Sequence, residues 1–240
     1  MPDFLTTKPP RRALAGLGLA ALTLAAGAAW AQTTTAAAPY PERAPLAQYR
    51  MAPADEIALA RSAAPPAIAS HAEVMILGDR GYETAVKGDN GFVCLVERAW
   101  ASGFADPGFW NPKMRGPICY NAAAARTVLP TDFLRTGWVL AGVSRTEMAE
   151  RTKAAVAAHK IAAPEPGAMS YMLSKQGYLN DRAGHWHPHL MFFLPRMATA
   201  QWGVDQAGDV VSGDDSSLEP LTVFYVPVPK WSDGTPAMEM

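Results

Sequence analysis

After its first 31 residues the sequence has no apolar run long enough to span a membrane, and it has only two cysteines among 240 residues. It contains no H-E-x-x-H, C-x-x-C, G-x-S-x-G or S-x-x-K motif and no glycine-rich phosphate loop. These absences argue against zincin-type proteases, serine hydrolases and nucleotide-binding folds. An excess of positive charge is also missing, because 21 Lys and Arg against 22 Asp and Glu give a net charge of −1. We therefore expect no nucleic-acid partner.

Residues 1–31 have the pattern of a secretory signal peptide. A basic start precedes an apolar stretch over 13–29, and Ala29 and Ala31 are small residues at the two positions that a signal peptidase reads. The sequence predicts cleavage after Ala31 and export to the periplasm or beyond, with no stable membrane insertion afterwards. An uncut anchor is the alternative. The pair Arg11-Arg12 leaves both the Sec and the twin-arginine routes open.

The rest of the chain is predicted to form one domain. Residues 32–54 are rich in Thr, Ala and Pro and are expected to be a flexible leader, which leaves 55–240 as a single globular domain. Cys94 and Cys119 are expected to pair as a disulfide in an oxidising compartment. A nucleophilic or metal-binding thiol is the alternative.

Hydrophobic periodicity predicts an α+β fold. Apolar or alternating segments at 74–77, 82–87 and 92–96, separated by turns at 78–81 and 88–91, predict a three-stranded antiparallel meander. Further strands are predicted at 168–173, 187–194 and 221–228, with loops over 99–120 and 195–220.

The middle of the chain is predicted to be helical. Asn121 is a suitable N-cap for a short helix that stops at Pro130, and a second helix is expected over 132–141. Ser144 and Glu147 form a capping box, which predicts a third helix up to about residue 159. Strands on both sides of this helical middle favour one antiparallel sheet.

Three histidines alternate near position 187. In an extended chain His185, His187 and His189 point the same way, and imidazole is a common ligand of zinc and other divalent transition metals. Neighbouring members of this set can share one metal ion, whereas the outer two are about 13 Å apart. The sequence therefore predicts a site for a divalent transition metal, such as zinc, at this segment.

A catalytic metal at this segment needs one more ligand from elsewhere in the chain. The candidates are, first, Asp181, and then His71, His159, Asp79 and Glu97. The alternative interpretation is that the histidines make local hydrogen bonds at the rim of the core beside Trp186.

Tryptophans in predicted loops suggest a second kind of function. Trp110, Trp202 and Trp231 lie among Gly, Pro, Asn and Asp residues, where they either stack on a ligand or cover the core. The two functional hypotheses are therefore an exported metal-dependent, hydrolase-like enzyme and a non-catalytic periplasmic or envelope-associated protein that binds a small molecule.

The chain resembles a group of bacterial exported proteins without an assigned activity. The resemblance covers most of the predicted domain. It implies a signal peptide followed by one domain, and it implies no cofactor or catalytic residue. The segments that carry it are Asn90-Gly91-Phe92-Val93-Cys94-Leu95-Val96, Phe109-Trp110-Asn111-Pro112, the His185–His189 run and Trp231-Ser232-Asp233-Gly234-Thr235.

Overall fold

The computed structural model describes residues 39–181, 184, 186–204 and 211–237. All of them belong to one compact unit that begins at Ala37. Residues 1–31, where the sequence predicts a signal peptide, lie outside the described part, so that peptide stays a prediction. Within the described ranges no helix has the length and apolar character needed to cross a membrane.

The described residues form an α+β domain around one eight-stranded sheet, as the sequence predicts. In chain order the strands are β1 (Glu73–Gly78), β2 (Gly81–Val86), β3 (Val93–Glu97), β4 (Gly116–Tyr120), β5 (Met169–Met172), β6 (His189–Pro195), β7 (Ser212–Asp214) and β8 (Leu221–Pro227). Their order across the sheet is β2-β1-β3-β4-β5-β6-β8-β7. The helices are α1 (Pro53–Arg61), α2 (Pro66–Ala69), α3 (Ala122–Thr127), α4 (Leu129–Leu140) and α5 (Arg145–Ala157).

The sheet has two buried faces because alternate residues of its central strands pack on different helices. On the first face Leu95, Ile118 and Met191 pack with residues of α3 and α4. On the second face Cys94, Val96 and Cys119 pack with small residues of α1 and α2. Two-sided burial explains why β3 is apolar without alternation.

The predicted disulfide and the helix starts at Asn121 and Ser144 are confirmed, whereas the helix predicted over 132–141 begins earlier, at Leu129, and includes Pro130. Cys94 and Cys119 are bonded, and they are directly opposite each other in the antiparallel pair β3–β4. The side chain of Asn121 accepts a hydrogen bond from the Ala124 amide at the start of α3. Ser144 accepts one from the Glu147 amide at the start of α5, while the Glu147 carboxylate binds Arg151.

The predicted antiparallel meander is wrong in its third strand. β1 and β2 form the expected hairpin, but β3 pairs with the other edge of β1 and runs parallel to it. The chain therefore crosses the start of β1 between β2 and β3. Gly88 lies at this crossing, where an added Cβ would be 2.1 Å from the Glu73 backbone nitrogen. Residues 88–91, which predict a turn, therefore belong to a crossover connection and not to a hairpin.

The loops predicted at 99–120 and 195–220 each contain a strand. β4 occupies the last five residues of the first loop and is buried throughout. Pro117 obscured this strand because proline cannot donate to a ladder. It is tolerated because β4 pairs with β5 only at Cys119 and Tyr120. The short strand β7 lies at the edge of the sheet and pairs only with β8.

The described part of the predicted leader packs on the domain. Residues 46–49 form a 3-10 helix, and the Tyr49 side chain is fully buried. The Tyr49 hydroxyl donates a hydrogen bond to the Trp110 carbonyl oxygen, 2.8 Å away. Burial of Tyr49 and the hydrogen bonds from Arg98 and Arg115 to the Tyr49 and Gln48 carbonyl oxygens hold this segment on the domain, although its composition indicates flexibility.

Removal of the disulfide should lower stability without changing the fold. The Cys94→Ser/Cys119→Ser variant loses a crosslink that closes a loop with a sequence separation of 25, which in the chain-entropy model corresponds to about 3 kcal/mol. Urea unfolding of the oxidised protein and the variant measures the difference. A variant as stable as the oxidised protein would contradict a structural role for the bond.

Substitution of Gly88 should be far more damaging than substitution of an open glycine. Gly88→Ala places a Cβ against the backbone of β1, and we expect a loss of about 3 kcal/mol or more. Gly103→Ala is the matched control because an added Cβ there has no atom within 4 Å. Thermal unfolding of both variants tests the crossing, and equal effects would argue against it.

Candidate functional site

The histidine segment lies at the start of β6. His185 falls outside the described residues. His187 is exposed and precedes the strand, whereas His189 is its first residue and is half-buried. The strand therefore begins two residues later than predicted, after Pro188.

His189 is held between two aromatic rings in a defined tautomer. Its ring centroid lies 6.4 Å from that of Trp186 and 5.8 Å from that of Tyr225, both in edge-on arrangements. Its Nδ1 lies 2.7 Å from the His187 carbonyl oxygen, which can only accept, so Nδ1 carries the hydrogen. Burial lowers the pKa of His189. The neutral ring therefore keeps the lone pair on Nε2.

The candidate metal ligands are not brought together within the described part of the chain. There, no group of three or more His, Cys, Asp or Glu side chains is placed to hold a metal ion. His71 instead pairs with Asp89, with Nδ1 and Oδ1 3.1 Å apart, Asp79 pairs with Arg50, and His159 follows the end of α5. Because His185 lies outside the described residues, a site that includes it stays a prediction.

Asp181 is occupied by other partners. Its carboxylate accepts hydrogen bonds from the hydroxyl groups of Tyr40 and Tyr178 and from Lys113 Nζ. These hydrogen bonds lower the pKa of Asp181 to about 2, and the bond from Tyr178 makes the largest contribution. Asp181 therefore ties the segment before β6 to the start of the domain.

A different pair of acids comes together on the first face of the sheet. Glu97 is the last residue of β3, and Asp132 lies in the first turn of α4. Tyr120, the last residue of β4, has its phenolic oxygen 2.5 Å from Glu97 Oε1 and 2.8 Å from Asp132 Oδ2. Both acidic residues remain partly exposed, while Tyr120 is buried. We call these three residues the acidic cluster.

The acidic cluster holds an extra proton. The Tyr120 hydroxyl group lies within donating distance of both carboxyl groups, and Glu97 and Asp132 also hydrogen-bond to each other, which requires a proton on one of them. Burial, followed by the charge of Asp132, raises the pKa of Glu97 well above its usual range. Glu97 is thus the protonated member, and it donates its proton to Asp132.

Asp132 is the ionised member at neutral pH. Burial raises its pKa to about 6, against the hydrogen bond from Tyr120 and the positive charge of Arg135. Its place in the first turn of α4 also favours the charged form. The two groups interact strongly enough to titrate as a pair, with one proton shared between them near neutral pH.

Aromatic and charged neighbours complete the surroundings of the acidic cluster. Burial, followed by the charges of Asp132 and Glu97, raises the pKa of Tyr120, so its phenol stays protonated. Arg135, one turn along α4, forms a buried ion pair with Glu219 at 2.6 Å. Opposite Glu97, Gly116 has no side chain, and an added Cβ would lie 3.3 Å from the Glu97 Cβ. The buried Met114 side chain also lies here, with its Cε 3.1 Å from the same added Cβ.

The second face of the sheet carries an apolar groove. Its volume is about 340 Å³, and its lining includes Tyr171, Leu190 and Trp231. Lys230 is the only ionisable side chain of the lining besides the Tyr171 phenol. The groove therefore offers a binding surface without acid–base chemistry.

The tryptophans named from the sequence differ in their positions. Trp110 is 5 % exposed and Trp186 is 7 % exposed, so both cover the core. Trp202 is 40 % exposed and stacks on Phe224 with ring centroids 4.2 Å apart, and Trp231 lines the apolar groove.

Sequence reasoning found only one member of the acidic cluster. The sequence predicts Glu97 only as a candidate metal ligand, and it predicts Asp132 only as the first residue of a helix. The signal that could have identified Glu97 is its position as the acidic last residue of a strand that is buried on both faces, since an unpaired carboxyl group is costly there. No spacing rule joins Glu97 to Asp132, since they lie in separate elements.

No protein-family model matches this chain, and no curated protein or solved structure matches it either.

The raised pKa of Asp132 predicts how stability changes with pH. The folded-state pKa lies above the ordinary value of 3.8, so the folded protein loses stability as the pH rises from about 4 to about 6. Asp132→Asn removes this loss and should raise the unfolding free energy at pH 7 by on the order of 1–3 kcal/mol, with little effect at pH 3.

Asp181→Asn is the matched control with the opposite sign. The folded-state pKa of Asp181 is lowered to about 2, so its contribution is present above pH 4 and lost as the pH falls. This variant should be less stable than the parent at pH 7. Urea unfolding from pH 3 to 8 measures both, and a destabilised Asp132→Asn variant at pH 7 would contradict the assignment.

Proposed function

We propose that this protein is a hydrolase in which Glu97 is the general acid and Asp132 is the basic or nucleophilic carboxylate. The observation that supports it most strongly is the convergence of two partly exposed carboxyl groups on the Tyr120 oxygen. A pair with one shared proton contains an acid and a base at the same pH. Perturbed carboxyl groups of this kind cluster at active sites.

The proposal gives one role to each member of the cluster. Glu97 holds a proton that it can donate to the leaving atom of a scissile bond, while Asp132 is charged and contacts the same phenolic oxygen. Tyr120 is a positioning residue because its hydroxyl group fixes the distance between the two acids. The net reaction consumes one water, whose hydrogen replaces the proton given by Glu97.

We also propose that the protein works outside the cytoplasm. The predicted signal peptide over 1–31 supports this location, and the Cys94–Cys119 disulfide is compatible with it.

Activity should depend on both acids while the fold does not. Glu97→Gln keeps an acceptor for the Tyr120 hydroxyl group and a donor toward Asp132, and Asp132→Asn keeps an acceptor for Tyr120. Each variant should remain folded and lose at least about 100-fold in kcat. A panel of chromogenic esters, glycosides and peptides tests the parent and the variants, with thermal unfolding as the check on folding.

The pH profile gives a second readout of the same proposal. The parent activity should rise with an apparent pKa of about 6, as Asp132 ionises, and fall again as Glu97 loses its proton. Glu147→Gln is the control because this carboxylate is exposed on α5. No hydrolysis of any class, or full activity in Glu97→Gln, would overturn the proposal.

A further inference from the structure

The apolar groove lies on the second face of the sheet, beyond the strands that α1 covers. α1 packs on β1, β3 and β4. Tyr171 of β5 and Leu190 of β6 are directly opposite each other in the next strand pair, are half-buried, and line the groove. Residues 228–232, which follow β8, form the opposite wall together with Gly234. The groove is therefore a part of the sheet surface that the chain walls in without filling.

Hydrogen bonds and an ion pair hold this wall in one shape. It includes a turn over 231–235, in which the Ser232 amide donates to the Leu173 carbonyl oxygen at 3.0 Å. Lys175 Nζ lies 2.7 Å from the Asp233 carboxylate. Both contacts join the turn to the chain that directly follows β5. A ligand therefore meets walls that are already ordered, and it does not lose affinity to their ordering.

The size of the groove selects a small ligand. Its volume is about 340 Å³, at the lower end of the range for small-molecule sites. A water molecule occupies about 30 Å³ in the liquid, so the groove has room for about ten non-hydrogen atoms. A membrane lipid with two long acyl chains does not fit this space. Burial of an apolar ligand body against Tyr171, Leu190 and Trp231 supplies the free energy of binding.

Lys230 gives the groove one positive charge that no acid of the described chain neutralises. It is exposed and is the only charged residue of the lining. No carboxylate among the described residues pairs with it, whereas the nearby Lys175 pairs with Asp233. A ligand carboxylate has the single negative charge that matches one ammonium group, and the hydrogen bond between them is charge-assisted. The lining therefore complements an apolar body that ends in a carboxylate.

We propose that the apolar groove binds a free monocarboxylic acid with an apolar body and about ten non-hydrogen atoms, such as octanoate or 3-phenylpropionate, with the carboxylate at Lys230. This proposal does not rest on the proposed hydrolase, because the acidic cluster lies on the other face of the sheet. It assigns to the protein a second site with its own ligand class.

An NMR titration of the full chain tests the ligand class. Octanoate and 3-phenylpropionate are compared with octan-1-ol and octylamine, which keep the eight-carbon body of octanoate but lack its negative charge. The indole N–H signal of Trp231, identified by its absence from the Trp231→Phe spectrum, reports binding. Both acids should shift this signal with a Kd below about 1 mM, which is within reach of a ligand of this size. Octylamine should bind more weakly than either acid.

Two variants separate the charge of the groove from its shape. Lys230→Met keeps the length of the side chain and removes its charge, so it should weaken octanoate binding about three- to tenfold and leave octan-1-ol binding unchanged. Lys153→Met is the matched control because Lys153 is exposed on α5, outside the lining. Val228→Phe places a larger side chain in the groove and should weaken the binding of both ligands, with thermal unfolding as the check on folding.

The outcomes decide between this ligand class and others. Binding of the acids that weakens in both Lys230→Met and Val228→Phe supports the proposal. No shift of the Trp231 signal by either acid, equal affinities for octanoate and octylamine, or an unchanged octanoate affinity in Lys230→Met overturns it. Binding to phosphatidylglycerol vesicles without binding to free octanoate also overturns it, because the groove would then recognise a membrane surface.

Discussion

The buried ion pair between Arg98 and Glu56 is the contact on which the first half of the domain depends. The two charged groups lie 2.8 Å apart, with side-chain exposures of 0 % and 1 %. The Arg98 guanidinium also donates to the carbonyl oxygens of Tyr49 and Val96, and Glu56 accepts from the Leu77 amide. One hydrogen-bonded network thus joins the N-terminal segment, α1, β1 and β3. Such a pair is tolerated in the core only because its members satisfy each other.

This network also positions the acidic cluster. Arg98 follows Glu97 directly, and the two side chains point to opposite faces of the sheet. The ion pair that fixes Arg98 on one face therefore also fixes the backbone that carries the Glu97 side chain on the other face. A second buried pair, Arg135 with Glu219, holds α4 against the residues that lead into β8. Asp132 lies one turn before Arg135. The two acids are therefore held together by buried ion pairs on both sides, at a separation that keeps Glu97 protonated beside the Asp132 charge.

The cost of this arrangement is visible in the protonation states. Burial raises the pKa values of both Glu97 and Asp132, so the folded protein would be more stable without their charges. A fold under selection for stability alone would replace such a pair with apolar residues or spread it apart. The proposed active site accounts for such a costly and partly exposed acid pair, because catalysis needs groups that are not fully satisfied in the free protein.

Local features of the fold were accessible from the sequence because they depend on near neighbours. The Asn121 and Ser144 caps, the β1–β2 hairpin and the paired cysteines follow from a few adjacent residues or from a count of two. The predictions failed where pairing joins distant segments. β3 lies beside β1 because the chain crosses over at Gly88. β4 can contain Pro117 because β5 pairs with β4 only at Cys119 and Tyr120.

The sequence by itself determined the α+β class, the disulfide and the alternation of histidines that places His189 on a strand. Only the tertiary structure decided that the side chains of Glu97, Tyr120 and Asp132 meet, because they come from two strands and a helix. The physical reason is that periodicity and capping act within one element, whereas the distance between two carboxyl groups is set by how separate elements pack. The low-dielectric surroundings that shift their pKa values exist only after that packing.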